Sequence, residues 1–143
     1  MQKRVHPSDQ PGRLEVKRLL CVDDSPDMLE ILVDLLQTQF TVVGTLSSGA
    51  SVLEKATTLN ADIILLDVDL GDISGFAVAE QLRSSGCPAS VVFLSVHEGI
   101  DFIRAAKDLG AAGYVCKSHI TRDLVETLHN AATRPLPGGT LHT

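Results

Sequence analysis

The feature that most constrains this chain is the alternation of short aliphatic runs with helical patterns from residue 18 onward. Five runs have strand length, and polar residues do not interrupt them at every second position as they would in half-exposed strands. The runs are RLLCV, FTVVGTL, DIILLD, SVVFLSV and GYVC. Such runs are typical of parallel strands covered on both faces. The pattern therefore predicts a doubly wound α/β domain with right-handed crossovers.

Apolar residues at helical spacing lie between and after these runs. The first predicted helix has Ser25 as its N-cap and Pro26 in its first turn. Its apolar residues at helical spacing are Met28, Ile31, Leu32, Leu35 and Leu36. Four further helices are expected over residues 48–59, 75–83, 100–109 and 121–132. Together they supply the five helices that flank a five-stranded sheet.

Length and composition limit the class of protein. The chain has 143 residues, which suits one domain, and 44% of them are hydrophobic. No apolar run approaches the roughly 20 residues of a membrane span, and the first residues lack a signal-like apolar segment. The three cysteines form no metal-like or paired pattern. We therefore expect a cytoplasmic protein without disulfides and without a membrane interaction.

The charge and the ends of the chain divide the sequence into three parts. Residues 1–18 hold five basic and two acidic residues, or +3, and the total of −6 leaves −9 for the rest. An acidic body argues against direct binding of nucleic acid. We expect a flexible leader over residues 1–16, one folded domain over 17–133, and a flexible tail or cut linker over 134–143.

Polar side chains stand at the carboxyl ends of four predicted strands. Asp23 and Asp24 follow the first, Asp67 ends the third, Ser95 ends the fourth, and Lys117 follows the fifth. In a doubly wound sheet these ends meet at one edge, where ligands bind. Three clustered carboxylates repel one another unless a cation joins them, and Mg²⁺ prefers such oxygen ligands. One carboxylate can then attack phosphorus, and the hydroxyl and ammonium suit phosphoryl oxygens.

These residues carry a family resemblance over about residues 18–132. The segments CVDDSP, ILLDVDLGDISG, FLSV and GYVCKS resemble the signatures of the receiver domain of two-component response regulators. The resemblance implies a flavodoxin-like sheet in the order 2-1-3-4-5. It also implies a signalling switch that catalyses no reaction beyond its own phosphorylation and dephosphorylation. Its expected partner is a sensor histidine kinase or a phosphotransfer protein.

The resemblance also implies a role for each acid. Asp67 is the expected phosphoacceptor and a metal ligand. Asp24 binds Mg²⁺ directly, Asp23 binds it through a water, and the backbone carbonyl of Asp69 completes the protein ligands. Mn²⁺ is expected to substitute for Mg²⁺. The side chains of Asp69 and His97 match rim positions, so we expect them to set the lifetime of the phosphoryl group by steering or crowding the attacking water.

Phosphoryl binding and switching are expected of three further residues on the same resemblance. Ser95 and Lys117 match the residues that contact the phosphoryl group. Ser95 and Tyr114 match the pair that moves together on activation.

Three positions depart from the family pattern. Gly71 and Ser118 stand where proline is common, which would loosen two loops, and Val96 replaces a usual alanine beside the phosphate site.

Two alternatives and one open question remain at this point. ILLDVDLG also resembles the Asp-x-Asp motif of haloacid-dehalogenase-type phosphatases, with Asp67 as nucleophile and Asp69 as general acid and base. The order of the acids along the chain argues against that enzyme. A phosphorylation-silent interaction domain is the second alternative. The sequence looks most like receivers that precede a helix-turn-helix DNA-binding domain. It leaves open a stand-alone receiver, part of a longer regulator, and a phosphorylation-dependent homodimer.

Overall fold

A computed structural model of the chain describes residues 16–132. The predicted tail lies outside the described residues, as does the predicted leader except for residue 16. The strands are β1 Arg18–Val22, β2 Thr41–Leu46, β3 Ile63–Asp67, β4 Ser90–Ser95 and β5 Gly113–Cys116. The helices are α1 Pro26–Leu36, α2 Val52–Thr58, α3 Gly75–Ser84, α4 Ile100–Asp108 and α5 Ile120–Ala132. A short 3-10 turn, Lys117–His119, joins β5 to α5.

The five strands form one parallel sheet in the order β2-β1-β3-β4-β5. The predicted fold class and strand order are therefore confirmed. Every residue of the central strand β3 is buried, as its uninterrupted aliphatic sequence predicts. The edge strand β2 is only partly buried, because it has a neighbour on one side alone.

The sheet separates two hydrophobic cores, because successive residues of a strand point to opposite faces. Leu20, Leu66 and Phe93 pack on one face against α2, α3 and α4. Leu19 and Leu65 pack on the other face against α1 and α5. The strands are thus covered on both sides, and their carboxyl ends are left as the accessible edge.

Helix α1 begins as predicted, and its buried face includes only part of the apolar pattern. Ser25 Oγ accepts a hydrogen bond from the Met28 amide at 3.1 Å, and Pro26 is the first helical residue. The buried side chains are Leu29, Leu32 and Leu36. Ile31 is 50% exposed, although it belongs to the same apolar pattern. One residue of helix turns by about 100°, which carries Ile31 away from the face that Leu32 occupies.

The remaining helix boundaries move by one residue or a few from the predicted ones. Within residues 16–132, no helix is both long and apolar enough to cross a membrane. The cysteines are free, with Cys21 buried and the other two half-buried. Burial, and then the charge of Asp23, raise the pKa of the Cys21 thiol to about 12. Cys21 is therefore an inert core residue.

Candidate functional site

The carboxyl edge of the sheet brings the predicted acids together. Asp23, Asp24 and Asp67 each offer a carboxylate oxygen, and these oxygens lie within 4.8 Å of one another. Asp23 is fully buried, Asp67 is 3% exposed, and Asp24 faces solvent. Three negative charges in so small and dry a space require positive charge nearby.

Local backbone geometry fixes the two buried carboxylates. Asp23 follows β1, its amide donates to the Leu46 carbonyl at 3.0 Å, and its Oδ1 accepts the Ser25 amide at 3.0 Å. The carboxylate therefore also helps to shape the turn into α1. Asp67 ends β3, and its Oδ1 accepts the Asp69 amide at 3.0 Å. In each residue one oxygen is held by the backbone and the other faces the site.

Lys117 places its ammonium between these buried acids. Its Nζ lies 2.9 Å from Asp23 Oδ2 and 3.2 Å from Asp67 Oδ2. The Asp67 contact is a hydrogen bond. The Asp23 contact is an ion pair with poor alignment, so the fully buried Oδ2 of Asp23 lacks a hydrogen-bond donor among the described residues. One ammonium thus faces three carboxylates, and the site keeps an excess of negative charge.

This excess perturbs the protonation of the site. Burial raises the pKa of Asp67 to about 6, and the charge of Asp23 adds to the rise. The Asp69 amide and the Lys117 ammonium act in the opposite direction. Burial alone would lower the pKa of Lys117, but its two acidic partners outweigh burial and raise it. Lys117 therefore stays charged. Without a metal ion, the ionised form of Asp67 is unfavourable near neutral pH.

The donor set fits a hard divalent cation such as Mg²⁺. It consists of carboxylate oxygens, and Asp24 leaves one side open to water. A cation there would also add positive charge beside Asp23 Oδ2, which has an ion pair with Lys117 but no hydrogen bond among the described residues. Asp69, the remaining predicted ligand, holds its peptide beside Asp67 through its amide, while its side chain points elsewhere.

Asp69, His97 and Phe102 form a contact at the edge of the site that we call the rim bridge. His97 Nε2 donates to Asp69 Oδ2 at 2.8 Å, which places a proton on Nε2. The imidazole stacks on the Phe102 ring, with centroids 4.1 Å apart and planes 2° from parallel. Sequence reasoning placed Asp69 and His97 at the rim but missed Phe102. Its position two residues inside α4 carried no signal of this contact.

The main chain of His97 connects the two predicted switch residues. Its amide donates to Ser95 Oγ at 2.9 Å, and its carbonyl accepts the Tyr114 hydroxyl at 2.7 Å. Ser95 is fully buried and Tyr114 is half-buried. Burial is the largest cause that raises the pKa of Tyr114, so the phenol stays protonated.

The β3–α3 loop is tied down although it lacks the family's proline. Gly71 has a φ of 87°, a conformation that proline cannot adopt. Next to it, both carboxylate oxygens of Asp72 accept the Gly49 amide, at 3.1 and 3.2 Å. The loop that carries Asp69 is thereby joined to the loop after β2.

The other two departures also have visible consequences. Ser118 Oγ donates to Glu98 Oε2 at 2.7 Å and so joins the loop after β5 to the loop after β4. Val96 is 64% exposed, so its side chain extends into solvent at the mouth of the site.

Comparison with known proteins identifies the family. Residues 19–129 match the response regulator receiver domain. The nitrate/nitrite response regulator protein NarL of Escherichia coli is 32% identical over 120 residues, which are 82% of this chain and 56% of NarL. The transcriptional regulatory protein MctR of Rhizobium johnstonii is 30% identical over 80% of this chain and 55% of MctR. The chain spans about half the length of these curated relatives.

Solved structures agree with the sequence relatives. The signal receiver domain of the putative response regulator NarL from Mycobacterium tuberculosis is 31% identical, with a TM-score of 0.75. The match covers 85% of this chain and all of that domain. The response regulator domain of Thermotoga maritima CheB is 26% identical, with a TM-score of 0.77, over 84% of this chain and 98% of that domain. The chain belongs to the receiver domains of two-component response regulators, which are phospho-accepting signalling switches.

Proposed function

We propose that Asp67 is the residue of this receiver that accepts the phosphoryl group. The observation that carries the proposal is the Lys117 ammonium, which contacts the buried Asp67 and Asp23 together, 2.9 to 3.2 Å away. Asp67 ends its strand at the accessible edge of the sheet. Lys117 can stabilise the negative charge of Asp67, and Lys117 and Ser95 can together bind the oxygens of an incoming phosphoryl group.

Asp23, Asp24, Asp67 and the Asp69 carbonyl would hold the cation, with Mg²⁺ as the expected ion and Mn²⁺ as a substitute. When bound, the ion supplies positive charge that draws the anionic donor to an anionic nucleophile. The exposure of Asp24 leaves room for retained waters, as Mg²⁺ requires. The charge excess of the metal-free site supports this assignment, since a divalent ion neutralises two carboxylates.

The transfer uses groups of this chain in defined roles. A carboxylate oxygen of Asp67 forms the new bond to phosphorus as the bond from phosphorus to the donor breaks. The electron pair stays with the donor, which is a histidine of a kinase or phosphotransfer protein, and that imidazole takes up a proton. Lys117 then holds one phosphoryl oxygen by its charge, and the Ser95 hydroxyl donates to another.

The phosphatase alternative is not favoured. It requires the Asp69 carboxylate to act as general acid and base beside Asp67. In the structure that carboxylate is 59% exposed and bonded to His97. The family match further supports a switch without a catalysed reaction of its own. The interaction-domain alternative loses support because three acids and Lys117 meet at one edge of the sheet, beside the end of the strand that carries Ser95.

The direct test is the intact mass after incubation with Mg²⁺ and acetyl phosphate. We expect one added phosphoryl group in the wild type and in Asp69→Asn, and none in Asp67→Asn or with EDTA. Steady hydrolysis of p-nitrophenyl phosphate that disappears in Asp69→Asn would instead support the phosphatase. No adduct in any sample at short times would support the silent interaction domain.

The wider biology is also a proposal. Relatives such as MctR are transcriptional regulators about twice as long as the match, so we propose that this receiver controls a DNA-binding output domain. A phosphorylation-dependent homodimer fits that role. Three free cysteines support a reducing, cytoplasmic setting. Sedimentation of the chain with and without acetyl phosphate tests the dimer, and an unchanged coefficient would contradict it.

A further inference from the structure

We infer that Phe102 is a positioning residue that keeps the rim bridge closed, and that the closed bridge slows loss of the phosphoryl group. The inference rests on the proposed function, since it concerns the lifetime of phosphorylated Asp67. His97 and Asp69 were expected either to steer the attacking water or to crowd it. The structure favours crowding.

The rim bridge lies between the two loops that border the site. Asp67 pairs in register with Leu94, directly beside Ser95, so the loops after β3 and β4 are neighbours at the site. The bond from His97 to Asp69 joins these two loops. A water that hydrolyses the phosphorylated aspartate must approach phosphorus from the side opposite the Asp67 oxygen, which is the solvent side. A side chain that spans the two loops there restricts that approach.

The Phe102 ring holds the imidazole of His97 in place. The His97 side chain is 35% exposed and the Asp69 side chain 59%, and such an exposed polar pair is weak by itself. The Phe102 ring covers one face of the imidazole in a nearly parallel stack. The stack removes apolar surface from water and fixes the ring plane, so that Nε2 points at Asp69.

Phe102 is itself supported from the hydrophobic core. Its ring lies 6.3 Å from that of Phe76, which meets the fully buried Phe93 edge to face at 5.0 Å. This row of rings leads from the centre of the sheet to the rim. Phe102 therefore presents a fixed surface to His97, although α4 has few buried side chains.

The expected size follows from the stack. Aromatic pairs of this kind shift a local equilibrium by roughly two- to twelvefold beyond simple burial. If the bridge is closed most of the time, losing the stack raises the open fraction by up to that factor. Dephosphorylation through the open form should then accelerate by the same factor, roughly two- to twelvefold.

The test compares the decay of phosphorylated variants of the full chain. Each is phosphorylated with acetyl phosphate and Mg²⁺, desalted rapidly, and followed by intact mass. Phe102→Leu should decay roughly two- to twelvefold faster than the wild type, whereas Phe102→Tyr, which keeps the ring, should stay near the wild-type rate. In a His97→Ala background, which already lacks the bridge, Phe102→Leu should have no further effect.

A matched control separates positioning from general destabilisation. Phe40 also contacts a histidine ring, that of His129 at 4.9 Å, on the opposite face of the sheet. Phe40→Leu removes that contact and should leave the decay rate unchanged. A second readout needs no phosphoryl group. In nuclear magnetic resonance spectra, Phe102→Leu should remove the ring-current shift of the His97 C–H signals, and Phe40→Leu should not.

The outcomes distinguish the inference from the proposed function. Phosphorylation with the same decay in the wild type and Phe102→Leu overturns the inference alone. Slower decay in Phe102→Leu also overturns it and favours steering of water. An equal effect of Phe102→Leu in the His97→Ala background shows that Phe102 acts by another route. Failure of the wild type to accept a phosphoryl group overturns the inference together with the proposed function.

Discussion

Replacing Asp67 by asparagine should stabilise the metal-free protein, although it removes the proposed phosphoacceptor. The pKa of Asp67 is raised from 3.8 to about 6, mainly by burial. At neutral pH the ionised group therefore opposes folding by up to about 3 kcal/mol. The asparagine oxygen can still accept the Asp69 amide, and Lys117 keeps Asp23 as a partner. We expect a gain of about 1 to 3 kcal/mol in the free energy of unfolding.

The sign and the pH window follow from the same shift. Because the pKa of this acid is higher in the folded protein, the folded protein binds more protons than the unfolded chain between about pH 4 and 6. The contribution of Asp67 to stability therefore falls as the pH rises through that window. The advantage of Asp67→Asn should be full at pH 7.5 and shrink to roughly a third at pH 4.5.

The assay is urea denaturation followed by circular dichroism, in EDTA, at both pH values. Asp34→Asn is the matched control, because it removes the same charge from an exposed position of α1. Magnesium should reduce the difference in the free energy of unfolding between Asp67→Asn and the wild type, since it stabilises the wild type by binding the acids. An Asp67→Asn protein no more stable than the wild type at pH 7.5 would refute the reasoning, as would an advantage that grows at pH 4.5.

Three further predictions concern the supports of the site. Gly75→Ala would place a Cβ 2.1 Å from the Asp67 carbonyl oxygen, so a loss of at least about 2 kcal/mol in urea denaturation is expected, and near-wild-type stability would contradict it. Lys117→Met leaves two buried carboxylates without their cation, so stability in EDTA should fall by about 2 to 4 kcal/mol and magnesium should restore part of it. If Lys117→Met and the wild type were equally stable in EDTA, the ion pairs of Lys117 would contribute little to the free energy of unfolding. Asp72→Ala should accelerate hydrogen exchange of the Gly49 amide by roughly tenfold, because that amide loses its acceptor, whereas Asp72→Asn should not. Unchanged exchange in the alanine variant would show that the link between the loops is weak.

The fold was predictable because a strand that is buried on both faces has an uninterrupted aliphatic sequence. IILLD can contain no solvent-facing residue when helices cover both faces, and its five residues are all buried. The strand order has no such pattern in the sequence. Any order of five parallel strands would bury these runs equally well, so the order 2-1-3-4-5 came from the family resemblance. The face of α1 was only partly readable, because its apolar residues fit two overlapping faces.

The site was predictable to the extent that strand ends fix it. Asp67 and Ser95 end neighbouring parallel strands, so the topology alone brings them to one edge. The rim bridge is different, because it depends on loop conformation. Asp69 and His97 are 28 positions apart, and Gly71 with its positive φ shapes the loop between β3 and α3. Neither the 2.8 Å contact nor the stack on Phe102 follows from residue spacing.

The hydroxyl of Ser95 has a single proton, and this limits how the proposed switch can operate. Its oxygen accepts the His97 amide at 2.9 Å, and the Tyr114 hydroxyl donates its own proton to the His97 carbonyl at 2.7 Å. A phosphoryl group on Asp67 would need the Ser95 proton for one of its oxygens. The Ser95 oxygen can keep the His97 amide while its proton goes to the phosphoryl group. Phosphorylation would therefore reach Tyr114 through the main chain of His97, whose carbonyl accepts the phenol and is the contact that must shift. His97 would then affect two properties of the domain. Its ring at the rim would set the lifetime of the phosphoryl group, and its main chain would pass the signal to Tyr114 in β5.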